Sequence, residues 1–184
     1  MSDWFRANKL SLNVNKTTYM VFKHNKHINV ESSRLQIGGN TIERVQCTKF
    51  LGLYTVDELQ WTNHIKHCKA KISNSLYAIR SAKHVLSPEH LRTLYFSLIH
   101  PFLDYGLMLW GSATKTLTNP LQILQKKAIR TIRNSLYYDH TGTLYKKLNI
   151  LTFSDMFNIQ IQHFMFQYFH LFTYGPECSF SKEL

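Results

Sequence analysis

The sequence predicts an α+β fold, with a small antiparallel sheet in the first third of the chain and helices after it. A change of period carries that expectation. Residues 16–56 are rich in β-branched and aromatic side chains interrupted by turn signals, whereas after Asp57 the apolar residues recur every three or four positions. Size allows it: 184 residues, 44% hydrophobic and 14% aromatic, make one ordinary domain or two small ones. Such a chain buries roughly 70% of its unfolded surface.

The elements follow in order. DWFRAN, residues 3–8, reads as the last turns of a helix, because Trp4 and Phe5 are large apolar residues with nothing upstream to pack on; that suggests a segment missing before Met1. Asn13 and Asn15 mark a turn, and TTYMVF reads as a strand with Thr18, Met20 and Phe22 on one face and Tyr19 and Val21 on the other. RLQIGGNTIERV reads as two short strands around Gly38, Gly39 and Asn40, where glycine supplies the positive φ of a tight hairpin. KFLGLYTV reads as a further strand, with Gly52 a bulge or a close backbone approach.

Trp61, Ile65, Cys68, Ile72, Leu76 and Ile79 then form one helical stripe, flanked by Lys66, Lys69 and Arg80. Ser87-Pro88-Glu89 opens a second helix as cap, first-position proline and dipole-complementing acid, with Leu91, Leu94, Tyr95 and Leu98 facing inward. Pro101 ends or kinks it, since proline lacks the amide proton and clashes with the preceding turn. An apolar segment runs on to Gly111, and Asn119-Pro120 opens a third helix with Leu121, Leu124, Ala128 and Ile132 on its apolar side. Lys126, Lys127, Arg130 and Arg133 gather on the other side. The last helix, DMFNIQIQHFMFQYFHLF, is apolar almost all round, but Asp155, Asn158, Gln160, Gln162, His163, Gln167 and His170 argue against a membrane span and for a cover over a core or a partner.

Charge narrows the function. Lys and Arg number 22 against 11 Asp and Glu, a formal +11, so the surface attracts polyanions. Nucleic acid fits better than an anionic membrane, because no basic amphipathic tail or long uncharged apolar run is present. If the basic flanks of residues 66–80 and 126–133 converge, they make a phosphate-binding groove; if they do not, they are two solvated helix faces. Periodicity alone leaves both open.

Cys47, Cys68 and Cys178 are unevenly spaced, with no CxxC pair, so neither a disulfide framework nor a zinc ribbon is indicated. That, with no signal-peptide core and only a loose retention-like SKEL tail, places the chain inside the cell, in cytosol or nucleus. His64, His67 and Cys68 lie at helical spacing but lack a fourth ligand, so no metal site is expected there. Asp57-Glu58, at a strand-to-helix junction, is explained by turn chemistry, and a hydrolase built on His64, His67 and Asp57 is disfavoured. No GxSxG context and no phosphate-binding glycine loop occurs.

The series WFRANKLSLNVNKTTYMVF, KFLGLYTVDELQWTNHI, LSPEHLRTLYFSLIHPFLDYGLMLWG and LQILQKKAIRTI resembles, in order and spacing over residues 4–176, the later part of reverse transcriptases from jockey-like non-LTR retrotransposons. The resemblance implies residues 1–58 as the end of a polymerase palm with a primer-grip strand, 59–135 as a helical thumb and 136–184 as a helical extension. Lys16 takes the palm lysine position, suspected in related polymerases of helping pyrophosphate leave, or is an exposed charge at a strand edge. Phe50, Leu51 and Gly52 would position a primer end; Lys66, Lys69, Arg80, Lys126, Lys127, Arg130 and Arg133 would contact phosphates.

The family's aromatic-Ala-Asp-Asp hairpin, which holds two divalent metal ions, expected to be magnesium, is not in this sequence, and none of its scattered acids reproduces that pair. The expectation is therefore a fragment of an RNA-directed DNA polymerase that has no catalytic residue and no cofactor of its own and does not polymerise alone. It would retain RNA and DNA, as primer–template duplex, as partners, together with the missing polymerase half. The alternative is a protein-interaction module or degenerate relic that docks through its aromatic C-terminal helix.

Overall fold

In the computed structural model, residues 2–11, 13–22, 35–37, 39–136 and 138–173 are described. Gly38, Cys178, the SKEL tail and the His170 side chain, on which expectations fell, lie outside that description. Two units divide the chain, Met1–His67 and Cys68–Leu184.

The first unit carries α1 (Ser2–Ala7), a 3₁₀ turn at Val14–Lys16 and six short strands: β1 (Thr18–Tyr19), β2 (Gln36–Ile37), β3 (Asn40–Thr41), β4 (Glu43–Arg44), β5 (Cys47–Phe50) and β6 (Leu53–Val56). Among the described residues they form three two-stranded ladders instead of the single antiparallel sheet expected, and one of them, β1 with β4, is parallel. β1 is two residues long, too short for alternation to sort faces, so Thr18, Tyr19, Met20 and Phe22 all border one groove. The glycine hairpin is found as read, with Ile37 opposite Asn40 and Gly39 at φ +80°.

KFLGLYTV is not one strand. It is a hairpin in which Phe50 pairs with Leu53 across Leu51 and Gly52, both with positive φ (+46° and +85°). Two left-handed residues in a two-residue loop match the right-handed twist of the flanking strands, which is why Gly52 turns the chain instead of bulging it. Leu51 in that region costs about 1 kcal/mol.

α2 (Thr62–Ala82) starts in the first unit and continues into the second, and the stripe reads through: Ile65, Cys68, Ile72, Leu76 and Ile79 are all buried. Burial pushes the Cys68 thiol up to about 11, as befits a packing residue. At the start of α2, Asn63 Nδ2 donates to Cys47 Sγ (3.5 Å) and the His67 ring packs on Tyr54 (5.0 Å), which fastens the β5–β6 hairpin to the helix.

The second unit adds α3 (Pro88–Leu98), α4 (His100–Asp104), α5 (Leu107–Trp110), α6 (Lys115–Arg133), α7 (Thr141–Leu148) and α8 (Phe153–Thr173). α3 opens at Ser87 and Pro88 as read, but the serine hydroxyl donates to Glu89 Oε2 (2.7 Å) and makes no cap bond to the backbone. Pro101 sits in the first turn of the new helix α4, where its missing amide proton is harmless.

α6 begins at Lys115, earlier than Asn119-Pro120 implied, and Pro120 lies inside it. The Thr114 carbonyl accepts from both Leu117 (2.9 Å) and Thr118 (3.1 Å), so the first turn closes upstream of the proline. Pro120 is near enough to the start that one missing helical bond does not stop propagation.

α8 covers α4 and α5, and its polar residues explain how. Gln160 Oε1 accepts from the Met108 amide (3.1 Å), an orphan donor at the start of α5, while its Nε2 donates to the Asp104 carbonyl and carboxylate (3.0 and 2.8 Å). Trp110 is fully buried against Phe153 (5.7 Å between rings). Gly111 permits this approach, since a Cβ there would fall on the Phe157 ring and 2.6 Å from the Leu107 carbonyl oxygen. Gly111→Ala should lower stability by about 1–3 kcal/mol through overpacking. A urea midpoint unchanged from the parent would show that α5 and α8 part without cost.

Candidate nucleic-acid interface

Basic residues from the two flanks meet in the second unit. Arg80, in the last turn of α2, and Lys83 just beyond it face a cleft of about 180 Å³ whose other wall is Lys127, Arg130, Thr131, Asn134 and Ser135 of α6 and its end. None of the described lining residues is acidic. Asn134, at φ +50°, ends α6 in a left-handed turn in which its amide and that of Ser135 donate to the Thr131 and Arg130 carbonyls (3.3 and 3.0 Å). That turn places Asn134 and Ser135 in the wall.

Arg130 is fixed, with Nε and one terminal nitrogen both donating to the Asp139 carbonyl (3.3 and 3.1 Å). Four cations beside two helix C-termini are tolerable because the partial negative charge of each end offsets part of the repulsion.

The other expected phosphate contacts stand apart from this cleft. Lys66 and Lys69 are exposed on earlier turns of α2, and Lys126 and Arg133 are exposed on α6, none of them in the lining. Arg133 contributes to a lowered Glu89 carboxyl, a shift caused first by the Ser87 hydroxyl bond. Lys83, Asn134 and Ser135 escaped the sequence reading. Lys83 follows the helical stripe, and the polar pair had no pattern to mark it.

In the first unit, Lys16 and Phe50 border a single groove of about 560 Å³ with Thr17, Tyr19, Thr48 and Thr55. Phe50 is 66% and Leu51 72% exposed, so the hairpin tip presents two large apolar side chains to solvent. Gly52 sits beside them in the turn.

His64, His67 and Cys68 do not assemble a ligand set, and among the described residues no three His, Cys, Asp or Glu could hold a metal ion. His64 is buried, its ring 6.4 Å from Trp61. Burial first, then the neighbouring His67, lowers its pKa below the ordinary 6.5. A lowered folded value means that the unfolded state binds the proton more readily. Stability from His64 is therefore complete above about pH 6.5 and lost as pH falls through that value toward the folded one. The urea midpoint should drop between pH 7 and 5, and His64→Leu should flatten that slope; an equal slope in the variant would assign it to other groups.

The fold and this cleft define an α+β chain whose helical unit concentrates positive charge at one point. Over 155 residues, 83% of its length, the chain is 25% identical to a probable RNA-directed DNA polymerase from transposon BS of Drosophila melanogaster. It is 27% identical over 135 residues to the RNA-directed DNA polymerase from mobile element jockey of the same fly. It is 22% identical over 160 residues to the probable RNA-directed DNA polymerase from transposon X-element.

The chain is thus similar to RNA-directed DNA polymerases of Drosophila mobile elements, jockey among them, and it spans 15–17% of their length. No family model and no solved structure matches it. Among the described residues, no helix is long and apolar enough to cross a membrane.

Proposed function

We propose that this chain is the nucleic-acid-holding part of a retrotransposon RNA-directed DNA polymerase: palm end and primer grip over residues 1–58, thumb over 59–135 and helical extension over 136–184. The observation that carries this is the meeting of Arg80 and Lys83 with Lys127 and Arg130 in one cleft. Cations from segments nearly fifty residues apart gather at one point although their mutual repulsion opposes it, and a phosphate-bearing ligand relieves that repulsion.

In this reading the exposed Phe50-Leu51-Gly52 tip packs against a primer end and Lys16 contacts a phosphate in the same groove. Lys66, Lys69, Lys126 and Arg133 add weaker backbone contacts around the cleft. The two divalent ions belong to the complete polymerase, and no step of synthesis is assigned to residues of this chain. Metal-dependent primer extension by the purified chain would sink that last statement.

The test of binding is titration of a fluorescent RNA–DNA duplex across a salt series. Tight binding that weakens steeply with salt supports the reading, and no binding at low salt overturns it. A second reading, a protein-docking module, is favoured by the outer side of α8, where Phe166 is 86% exposed beside Met165 and Ile159, and by a groove of about 670 Å³ along Leu109, Ile159 and Phe164. It expects a complex with a polypeptide partner that forms without nucleic acid.

A further inference from the structure

The cleft between the ends of α2 and α6 differs in shape from a backbone-tracking surface. A strand passing along a protein meets cations in a row. Here Arg80 and Lys83 stand on one wall and Lys127 and Arg130 on the other, around a space of about 180 Å³, whereas grooves elsewhere among the described residues measure 540–670 Å³. Such a space is large enough for one phosphate group.

Charge points the same way. Leaving aside Arg130, which is engaged with its own neighbours, the three cations Arg80, Lys83 and Lys127, less about half a charge for each of the two helix C-termini beside them, leave roughly +2 to be met. A phosphodiester brings about −1, whereas a phosphate monoester brings about −1.5 to −2 at pH 7 and a third anionic oxygen. The Thr131 hydroxyl is spent on the Lys127 carbonyl (2.8 Å), but the Ser135 hydroxyl and the Asn134 side-chain amide line the wall as uncharged groups able to donate to a third anionic oxygen.

We propose that this cleft is a seat for a terminal phosphate monoester of a nucleic-acid strand, held by Arg80, Lys83 and Lys127 with Asn134 and Ser135. The proposal rests on the nucleic-acid-holding reading above and adds the chemical class of the group recognised. A 5′-phosphate and a 3′-phosphate share that chemistry.

The experiment uses the whole chain and three versions of one fluorescent single-stranded oligonucleotide, with a 5′-phosphate, a 3′-phosphate, or hydroxyls at both ends. Expected is binding on the order of tenfold tighter to at least one phosphorylated version, with the preferred end showing which terminus is seated. Inorganic phosphate should erase that advantage while leaving the hydroxyl-ended strand bound. The triple variant Arg80→Gln, Lys83→Gln, Lys127→Gln should bind all three versions alike.

Equal affinity of the parent chain for all three would overturn the proposal and leave the nucleic-acid reading standing. A preference that survives in the triple variant would place the monoester elsewhere and also overturn it. No binding of any version would overturn both. Far-UV circular dichroism of the variant guards against misfolding, and Lys127→Gln alone, which should halve the preference or more, carries the test if the triple variant does not fold.

Discussion

Replacing Arg80, Lys83 and Lys127 together by glutamine should weaken binding to an RNA–DNA duplex by on the order of 100-fold at about 0.1 M salt. The figure comes from three cation–phosphate contacts at about 1 kcal/mol each, with about 1.4 kcal/mol per factor of ten. The salt dependence should change with it: each phosphate no longer neutralised removes about 0.9 from the slope of log affinity against log salt, and the three side chains share one phosphate, so the line should become shallower by about 1. Glutamine keeps the aliphatic stems, and none of the three side chains is buried, so folding should be spared. Lys126→Gln with Arg133→Gln is the comparison, since both are exposed on α6 outside the cleft lining. An outer pair that costs as much as the inner three would mean that binding spreads over the α6 face and that the cleft has no special part.

Gln125→Leu should destabilise the second unit by about 4 kcal/mol or more, the largest single-residue effect expected in the chain. Gln125 is 1% exposed and all four of its hydrogen-bonding positions are used. Its Nε2 donates to the Tyr95 hydroxyl and the Leu151 carbonyl (2.9 Å each), and its Oε1 accepts from the Tyr145 hydroxyl (3.1 Å) and the Phe153 amide (3.0 Å). One side chain of α6 thereby ties α3, α7 and the start of α8. Leucine fills similar volume and removes all four bonds at once, and each polar group stranded in the interior costs about 1–3 kcal/mol.

The two tyrosines register how dry that centre is. Burial raises both phenols, Tyr95 to about 12 and Tyr145 further, the Tyr95 phenol adding to the shift at Tyr145. An unfolding free energy for Gln125→Leu within about 1 kcal/mol of the parent, at an unchanged m-value, would show that water replaces the amide without cost.

Arg92 has a related but peripheral part. It reaches from α3 to the end of α7, donating to the carbonyls of Leu148 (2.5 Å) and Asn149 (3.5 Å) while its guanidinium lies 4.8 Å over Phe96. A cation there satisfies carbonyls that the helix leaves orphaned and complements its dipole.

Local pattern was enough for the α+β class, the strand-to-helix change after Asp57, the stripe of α2, the start of α3, the glycine hairpin and the length of α8. Each is a property of residues within one or two turns of one another. The four ordered motifs were also enough to point to jockey-like polymerases, which similarity over most of the chain supports.

Where local signals are weak, tertiary contacts decide the structure. Thr141–Leu148 carries a glycine and two threonines that lower helix propensity, so α7 went unread, and its packing on α6 through the buried Tyr145 and Leu148 is what holds it helical. Leu51 is not a turn residue by type, so the sequence pattern runs β5 and β6 together as one strand. Gln125 carries no core signal in the sequence because periodicity ranks residues by hydropathy, and an amide becomes a core residue only when four partners from other segments arrive around it.

The sequence by itself determined the charge, the period of each element and the kinship, because these reside in residue type and spacing. Only the tertiary structure decided that Arg80 and Lys83 face Lys127 and Arg130 while Lys126 and Arg133 look elsewhere. Which cations share a cleft depends on the relative rotation and ending of two helices, set by the packing of their buried stripes and by the left-handed turn at Asn134, and no helical period encodes that.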